Sequence, residues 1–462
     1  MHNLSQDNIN QLQTAIRGQV ILPDAQGYEE SRSIWNGMID RKPSAVVRAI
    51  GTADVIATVN FARSNDIPFT IRGGGHNIAG LAVADDALMI DLSHMRGAWI
   101  DHDKQTVNAQ PGATLGDIDR ETQLHGLAAV LGFVSNTGAT GLTLGGGFGY
   151  LTRKYGWTCD NVVSIEMVSA EGELVRASET ENSDLFWGLR GGGGNFGVVT
   201  NIEYRLYPVG PEITGGLIAW RGEDAQGVLE MFRELIAGAP PELTCASMIR
   251  KAPPAPWLPE SIHGKQIIGI VVCHTGTAEQ AEKDLALIKS FGAPVGDIVQ
   301  RRPYIQQQSL LDATQPNGRR YYWKSEYLAG LDDLSLAEYI KHGDAINSPH
   351  SAAILFGIDG ALNEQPDGHS PMGNRDAKVV LNLTASWDSA DEDGEHIGWA
   401  RKAWTGMRQF STGGTYVNFL TEDDGEDRIR AAYGDHYDRL VEVKSKWDPD
   451  NLFNKNKNIA PG

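Results

Sequence analysis

The sequence has little basic charge and no long apolar run. Its 40 lysine and arginine residues stand against 59 aspartate and glutamate residues, so the formal net charge is -19. Such a chain lacks the positive surface that nucleic acids and anionic lipids need, and we expect neither as a partner. The chain has no run of about 18 apolar residues, the length that could span a bilayer. Its N-terminus is polar and lacks a signal-peptide pattern. We therefore expect a cytoplasmic protein that binds a small-molecule substrate.

Cysteine is also scarce, with only Cys159, Cys245 and Cys273 in the chain. These three are too few and too scattered for a disulfide framework, and none has C-x-x-C spacing. The twelve histidines show no metal-ligand spacing either, so we expect no metal. The acidic run at 422–427 is expected to be a solvated loop ahead of a helix.

Glycine, by contrast, is abundant and clustered. The chain has 53 glycines, concentrated at 73–75, 132–149 and 191–197. Glycine lets the main chain approach a ligand closely, and successive main-chain N–H groups can bind an anion. Three such loops indicate a large anionic ligand. The segment at 132–149 is too rich in glycine to be a regular helix.

The segment Gly192–Gly197 matches the dinucleotide pattern G-x-G-x-x-G. In a Rossmann fold this turn opens a helix whose N–H groups meet the pyrophosphate. Here the β-branched residues 198–200 follow, which predicts a strand instead. A nicotinamide dehydrogenase remains an alternative, but it is not the function that the pattern favours.

The order of elements indicates an α+β chain whose composition and hydrophobic pattern change near Pro208. A strand at 45–50, a helix that starts near Thr52 and a strand at 69–71 predict a β-α-β unit. Thr114 is expected to cap a short helix. Glycine clusters disappear from Pro208 to about Gly414, where amphipathic segments and aromatic residues take over. We predict domains at 1–208 and 209–414 and a C-terminal segment at 415–462.

Five motifs resemble one known family. They are IRGGGHN at 71–77, PGAT at 111–114, LGGGFGYLTRKYGWTCDN at 144–161, DLFWGLRGGGGNFGVVT at 184–200, and the tail WDPDNLF. Together they resemble the berberine bridge enzyme-like branch of the vanillyl-alcohol oxidase flavoproteins. The resemblance implies a two-subdomain FAD-binding domain with an inserted α+β substrate domain, whose antiparallel sheet is covered by helices. It also implies that the C-terminal segment returns to the FAD domain.

The resemblance implies FAD bound covalently at two residues, His76 through the flavin 8α-methyl carbon and Cys159 through flavin C6. The alternatives are a histidine that only forms hydrogen bonds and a cysteine that acts as a small buried hydrophobe. The resemblance assigns further cofactor contacts to the glycine loops and their neighbours: Arg72, Gly73, Gly74, Gly75, Asn77, Gly138, Thr143, Gly145, Gly146, Gly147, Asp160, Asn161, Gly194, Asn195, Gly197, Val198 and Asn418.

The resemblance implies that Tyr416 and Asn418 form a catalytic Y-x-N element on a strand, with Tyr416 as the base and both side chains facing the flavin. A tyrosine needs a nearby positive charge to act as a base near neutral pH. Tyr321 is expected to line an aromatic substrate pocket, and the alternative is a core residue.

The expected reaction is oxidation of an alcohol, a hemiacetal or an amine, with hydride transfer to flavin N5 and O₂ reduced to hydrogen peroxide. Thr137 is aligned with the family position that controls oxygen access, and its small size favours an oxidase. A dehydrogenase with another acceptor, a tailoring enzyme that performs oxidative cyclisation, and a flavin-binding protein without turnover remain open.

Overall fold

The first sheet of the protein contains the predicted β-α-β unit. The computed structural model describes residues 4–462. Strands Ala45–Arg48 and Phe69–Arg72 both pair in parallel with Leu88–Asp91, which lies between them. Helix Thr52–Ser64 connects the two outer strands, and the short strand Gln19–Ile21 pairs antiparallel at the edge. The glycines at 73–75 therefore leave a sheet directly at the end of one of its strands.

The second sheet is antiparallel and packs against the same helix. Val55 and Val59 of helix Thr52–Ser64 belong to one buried cluster with Val168 and Val198 of this sheet. The predicted strand after Gly197 is therefore present and central. In spatial order the five strands are Ala98–Asp101, Thr106–Ala109, Val198–Arg205, Val162–Val168 and Leu174–Ser178. A two-stranded ribbon, Leu127–Ala128 with Tyr207–Pro208, lies beside them.

An eight-stranded antiparallel sheet makes up most of the next 180 residues. Its strands are long because alternating apolar residues bury both faces. In spatial order they are Gly296–Asp297, Glu212–Arg221, Gln266–His274, Leu243–Lys251, Ala352–Gly357, Val379–Trp387 and Arg320–Leu328, with Gln300–Pro303 paired to Glu212–Arg221.

Three amphipathic helices cover one face of this large sheet. They are Ala225–Gly238, Asp333–Asp344 and Asp393–Met407, and they share one buried cluster with sheet residues such as Ile249 and Leu383. The opposite face of the sheet points toward the glycine-rich part of the chain. The predicted α+β class, with antiparallel strands covered by helices, is confirmed.

Shorter helices complete the connections. Thr114 caps helix Leu115–Thr122 through a capping box with Asp117, as expected. One expectation is wrong, because the glycine-rich segment contains the short helix Ala139–Leu144, whose residues between the glycines are mostly apolar and buried. The other α-helices before residue 365 are Gln6–Ala15, Tyr28–Arg32, Thr152–Tyr155, Ser183–Leu189, Ala278–Asp284, Ala286–Ser290, Tyr304–Gln308 and Ala361–Glu364. The 3-10 turns are Gln123–His125, Thr158–Asn161, Gly222–Asp224, Glu260–Ile262, Asp312–Thr314, Ala390–Glu392, Arg408–Phe410, Val417–Phe419 and Gly434–His436.

The C-terminal segment returns to the glycine-rich part of the chain. Helices Glu426–Tyr433 and Tyr437–Trp447 are separated by the 3-10 turn that begins at Gly434. Tyr433 and Leu440 join the same buried cluster as Phe196, which follows the third glycine loop. No helix within residues 4–462 is both long enough and apolar enough to cross a membrane.

A buried lysine connects this tail to the third glycine loop. The Lys444 Nζ atom donates hydrogen bonds to Asn195 O at 2.8 Å, Asp448 Oδ2 at 2.6 Å and Phe453 O at 3.0 Å. Neither Lys444 nor Asp448 is exposed. Removing one member of a buried ion pair leaves the other charge uncompensated, which is strongly destabilising.

We therefore expect Lys444→Met to lower the free energy of unfolding by about 3–5 kcal/mol, measured by urea denaturation. Lys446→Met is the matched control, because the exposed Lys446 pairs with Asp184 at the surface. That control should change the free energy by less than about 1 kcal/mol. Equal effects of the two substitutions would contradict a structural role for the buried pair.

Candidate active site

A long cavity lies between the glycine loops and the open face of the large sheet. Strand alternation supplies the sheet wall, because every second residue of four neighbouring strands faces the same side. The loops at 73–77, 132–145 and 193–197 form the opposite wall, and the segments at 416–419 and 455–457 complete it. On the sheet wall the lining residues are Met248, Arg250, Ile354, Phe356, Asn382, Thr384 and Trp323.

Two glycine loops meet by direct backbone contact at the floor of the cavity. A Cβ atom added to Gly74 would lie 2.5 Å from the Cα of Gly138, and one added to Gly138 would lie 2.6 Å from the Gly74 nitrogen. Gly75 next to this contact has φ +69, in the left-handed region. A side chain is thus excluded at Gly74 and at Gly138, where the two loops touch. In contrast, a Cβ at Gly141 or Gly194 would meet nothing within 4 Å, so these glycines leave open space.

His76 lines the cavity next to this contact of the two loops. Its ring stacks on Trp35, with centroids 4.2 Å apart and planes 17° apart. The Nε2 atom is buried and has no hydrogen-bond partner within residues 4–462. Burial lowers the pKa of His76 from 6.5 to about 4, so the imidazole is neutral at physiological pH. A neutral imidazole keeps a lone pair, which is the form that acts as a nucleophile.

These features fit an extended flavin dinucleotide. The cavity offers a neutral nucleophile at one place, main-chain N–H groups without side chains at the glycine loops, and the cationic residues Lys455 and Lys457 near the tail. Lys457 donates a hydrogen bond to Thr421 O at 2.6 Å. Burial lowers the pKa of Lys457 to about 8, and nearby carboxylates oppose this shift. A site that combines apolar walls, main-chain donors and two ammonium groups matches a ring system joined to phosphates.

Eleven of the residues assigned to the cofactor by resemblance line this cavity. Most come from the three glycine loops, and one comes from the C-terminal segment. They are Gly73, Gly74, Gly75, His76, Asn77, Gly138, Gly145, Gly194, Asn195, Gly197 and Asn418.

Other residues assigned to the cofactor lie behind the lining, and their contact with the cofactor stays a prediction. Arg72 turns away from the cavity, because its Nη1 atom donates to Ser31 O at 2.7 Å. Thr143 bonds to Tyr204 OH at 2.8 Å, and Asn161 accepts a hydrogen bond from Tyr207 OH at 2.6 Å. Asp160 pairs with Arg375 at 2.7 Å. The remaining residues outside the lining are Gly146, Gly147 and Val198.

The structure places Cys159, the residue assigned to the second covalent link, away from the cavity lining. Cys159 is absent from the cavity lining, and its side chain is fully buried in a cluster with Trp157 and Met372. Its Sγ atom lies 4.0 Å from Asp160 Oδ1, and burial beside this carboxylate raises the pKa of the thiol. A buried thiol without cavity access is a poor nucleophile toward a bound ring. Cys159 is therefore a core residue, as the alternative interpretation held.

Tyr416 and Asn418 lie together in the cavity, but a turn and not the expected strand brings them there. The segment Val417–Phe419 forms a 3-10 turn. This turn brings Asn418 Nδ2 to 2.9 Å from Tyr416 OH, and the Gly147 N–H donates to the same oxygen at 3.0 Å. The strand expectation was wrong, whereas the side chains lie together as expected. The two donors occupy the lone pairs of the phenol oxygen, which leaves its hydrogen free to be donated.

No cation accompanies Tyr416. Burial raises the pKa of its phenol, and the hydrogen bonds from Asn418 and Gly147 only partly oppose this shift. The positive charge that a tyrosine base needs is thus missing from its described surroundings. This geometry favours Tyr416 as a hydrogen-bond donor, and its role as a base stays a prediction.

Tyr321 is a core residue and not part of the lining. Its ring stacks on Trp35 at 3.8 Å, and its hydroxyl donates to Pro316 O at 2.6 Å. It therefore forms the outer layer of a stack that continues through Trp35 to His76. The aromatic residue of this strand that does line the cavity is Trp323, two positions further along.

Sequence reasoning missed the substrate-side wall. Phe133, Phe148 and Phe356 form an aromatic group there, with centroids 4.8 to 5.7 Å apart. Arg250 and His350 also line it. Strand alternation could have paired Met248 with Arg250 on one face. It could not say which face the helices cover, because both faces are rich in apolar residues.

Comparisons with known proteins agree with this geometry. Residues 43–178 match the family model described as an FAD binding domain, and residues 415–460 match the model described as berberine and berberine like. The chain is 39% identical to FAD-linked oxidoreductase pgmH of Aspergillus terreus, over 99% of this chain and 97% of that protein. The chain belongs to the berberine bridge enzyme-like family of FAD-linked oxidoreductases.

One further relative and one solved structure have the names of oxidases. The chain is 31% identical to (R)-6-hydroxynicotine oxidase of Paenarthrobacter nicotinovorans, over 97% of both chains. The crystal structure of 6-hydroxy-D-nicotine oxidase from Arthrobacter nicotinovorans superposes with a TM-score of 0.86 at 28% identity, covering 97% of this chain and 98% of that one. The family and the FAD cofactor that the motifs imply are thereby confirmed, and the protein is an oxidoreductase.

The low pKa of His76 predicts a pH dependence of stability in the flavin-free protein. Between pH 6.5 and about 4 the unfolded chain binds a proton at this residue and the folded chain does not. Stability therefore falls as the pH falls through this range. Relative to His76→Asn, the wild type should lose about 1.4 kcal/mol of unfolding free energy per pH unit, measured by urea denaturation. A difference that is constant with pH would contradict a neutral buried imidazole.

Proposed function

We propose that this protein is an oxidase that carries FAD covalently on His76 and oxidises a small molecule bearing an alcohol, hemiacetal or amine group. The observation that carries the proposal is the buried His76 Nε2 atom, which has no hydrogen-bond partner in the described part of the chain and lies next to the contact of two bare glycine backbones. When bound, FAD supplies an acceptor for the two electrons and the hydride of the substrate C–H bond.

The protein's own groups position the substrate and handle its proton. Tyr416 donates its hydroxyl hydrogen into the cavity, because both lone pairs of its oxygen already accept hydrogen bonds. Such a donor orients a substrate oxygen or nitrogen and stabilises negative charge that develops there. Phe148 and Phe356 pack near this hydroxyl group and exclude water from the reacting carbon.

Oxygen is the proposed electron acceptor. One loop lines the cavity with Gly132, Phe133, Val134, Thr137 and Gly138. At 137–138, where this loop meets the first glycine loop, it carries no side chain larger than valine. A small molecule such as O₂ needs little space to approach there. The named activities of the bacterial relatives, both oxidases, also support this acceptor.

Covalent attachment at His76 predicts the outcome of a peptide-mass experiment. After acid denaturation, wild-type protein should retain flavin absorbance, and the tryptic peptide that contains His76 should carry the flavin mass. His76→Ala should release all of its flavin into the supernatant. Cys159→Ser is the matched control and should keep the attached flavin, since its thiol lies outside the cavity lining. Flavin found on the Cys159 peptide would contradict the site geometry.

The role of Tyr416 predicts a defect in substrate oxidation. Tyr416→Phe removes the hydroxyl while keeping the ring packed on Phe148 and Phe419. Once a reducing substrate is found, anaerobic flavin reduction should slow by about 10- to 1000-fold, in the range for loss of one aligned hydrogen-bond donor. An unchanged rate would exclude the hydroxyl from the reaction. Tyr322→Phe serves as the control, because Tyr322 of strand Arg320–Leu328 packs on the face of the large sheet that points away from the cavity.

Oxygen use is tested separately by stopped-flow mixing of reduced protein with O₂. Rapid return of oxidised-flavin absorbance together with hydrogen peroxide release is expected. Slow re-oxidation, with rapid re-oxidation by an artificial quinone, would instead assign the protein to the dehydrogenases.

A further inference from the structure

Arg250 places an unpaired positive charge in the substrate-side wall of the cavity. Its Nε atom donates to Lys251 O and its Nη2 atom to Pro349 O, both at 3.2 Å. Both acceptors are neutral carbonyls, and within residues 4–462 no carboxylate forms an ion pair with this guanidinium. Burial and the neighbouring charge of Arg319 lower the pKa of Arg250 to about 10. The group stays charged at neutral pH without a counterion.

Arg250 is half-buried, so its charge has lost part of its water without gaining a counterion, which is unfavourable. The chain has a net charge of -19, so carboxylates are available in plenty elsewhere on the protein. The absence of one beside Arg250 is therefore a local property of the wall. A guanidinium in such a wall matches a planar carboxylate that arrives with a ligand.

The neighbours of Arg250 form a polar row across the sheet. Register pairs Arg250 with Ala352, Ala352 with Thr384, and Thr384 with Trp323. Among the residues that the structure describes, the buried Trp323 indole N–H has no hydrogen-bond partner. The same holds for the buried amide oxygen of Gln315, which also lines the cavity. This end of the wall thus contains unused polar groups as well as an unpaired cation.

The rows closer to Tyr416 are apolar. Met248 pairs with Ile354 in the next row, and Ala246 pairs with Phe356 in the row after that. Phe356 contacts Phe148, which in turn contacts Tyr416. Four residues of strand separate Arg250 from Ala246, which corresponds to roughly 13 Å. The wall therefore changes from cationic to aromatic along the direction that leads to Tyr416.

We propose that the substrate is an aromatic or otherwise apolar carboxylic acid, whose carboxylate binds Arg250 and whose apolar body lies against Ile354 and Phe356. This inference rests on the proposed function, because it assigns the group that is oxidised to the end near Tyr416. It makes Arg250 a specificity-determining residue. Short acids such as acetate would bind Arg250 without reaching the reacting end.

The test is binding of phenylbutyrate and of its neutral isostere phenylbutyramide to the flavin-loaded protein, measured by isothermal titration calorimetry. Wild-type protein should bind the carboxylate at least about 10-fold more tightly than the amide. Arg250→Gln should weaken carboxylate binding by about 30-fold or more and leave amide binding unchanged. Arg250→Lys should weaken the carboxylate less, since it keeps the charge but loses the fork of N–H donors.

Lys251→Gln is the matched control. This lysine is adjacent on the same strand and lies outside the cavity lining, where its Nζ atom donates to Asn347 O. Removing its charge should change the binding of neither compound. Thermal melting of each variant verifies folding, and if Arg250→Gln is unfolded, the selective loss in Arg250→Lys decides.

Equal binding of the two compounds by the wild type, or no binding of either, would overturn the proposal. So would an equal loss of both in the Arg250 variants. The binding measurement needs no turnover, so its outcome does not depend on the proposed oxidase activity. Selective carboxylate binding by a protein that fails to transfer electrons would leave the Arg250 site in place and remove only the oxidase assignment.

Discussion

The contact between the backbones of Gly74 and Gly138 is the constraint on which the site depends. Atoms added at either residue would overlap the other loop, so both loops can approach only as bare main chain. This approach sets the floor of the cavity and fixes where the chain continues into His76. The remaining walls come from elements that are hundreds of residues away, and they meet the cavity at a position that these two glycines define.

The position of His76 is also determined across the two halves of the molecule. Trp35 stacks on the imidazole, and Tyr321 of the large sheet stacks on Trp35. Asn36 adds hydrogen bonds to Ile78 O and to Tyr321 O, at 2.9 and 3.0 Å. A residue of the substrate half thus orients the nucleophile without touching the cavity. Changes in the large sheet are therefore transmitted to the cofactor end through packed rings.

The sequence allowed the cofactor end to be predicted better than the substrate end. The loop around His76 could be predicted because glycine clusters and a polar residue at a strand end have few structural explanations. The burial of Cys159 could not be predicted, because a cysteine within a family motif gives no sign of which way its side chain points, and only packing shows that the thiol lies behind the lining. Tyr416 was placed on a strand because alternation of two polar positions also fits a 3-10 turn. Arg250 was missed because its significance is the lack of a carboxylate nearby in space, and no one-dimensional pattern records such a lack.

The contribution of Lys455 and Lys457 to the cavity wall has a consequence for the order of events during synthesis. The glycine loops are translated within the first 200 residues, yet the wall that they face is closed by residues more than 250 positions later. The last residues to be translated therefore complete the cavity, because its wall lacks this part until the tail packs against the glycine loops. A chain that ended before Lys455 would lack both of these ammonium groups at the cavity.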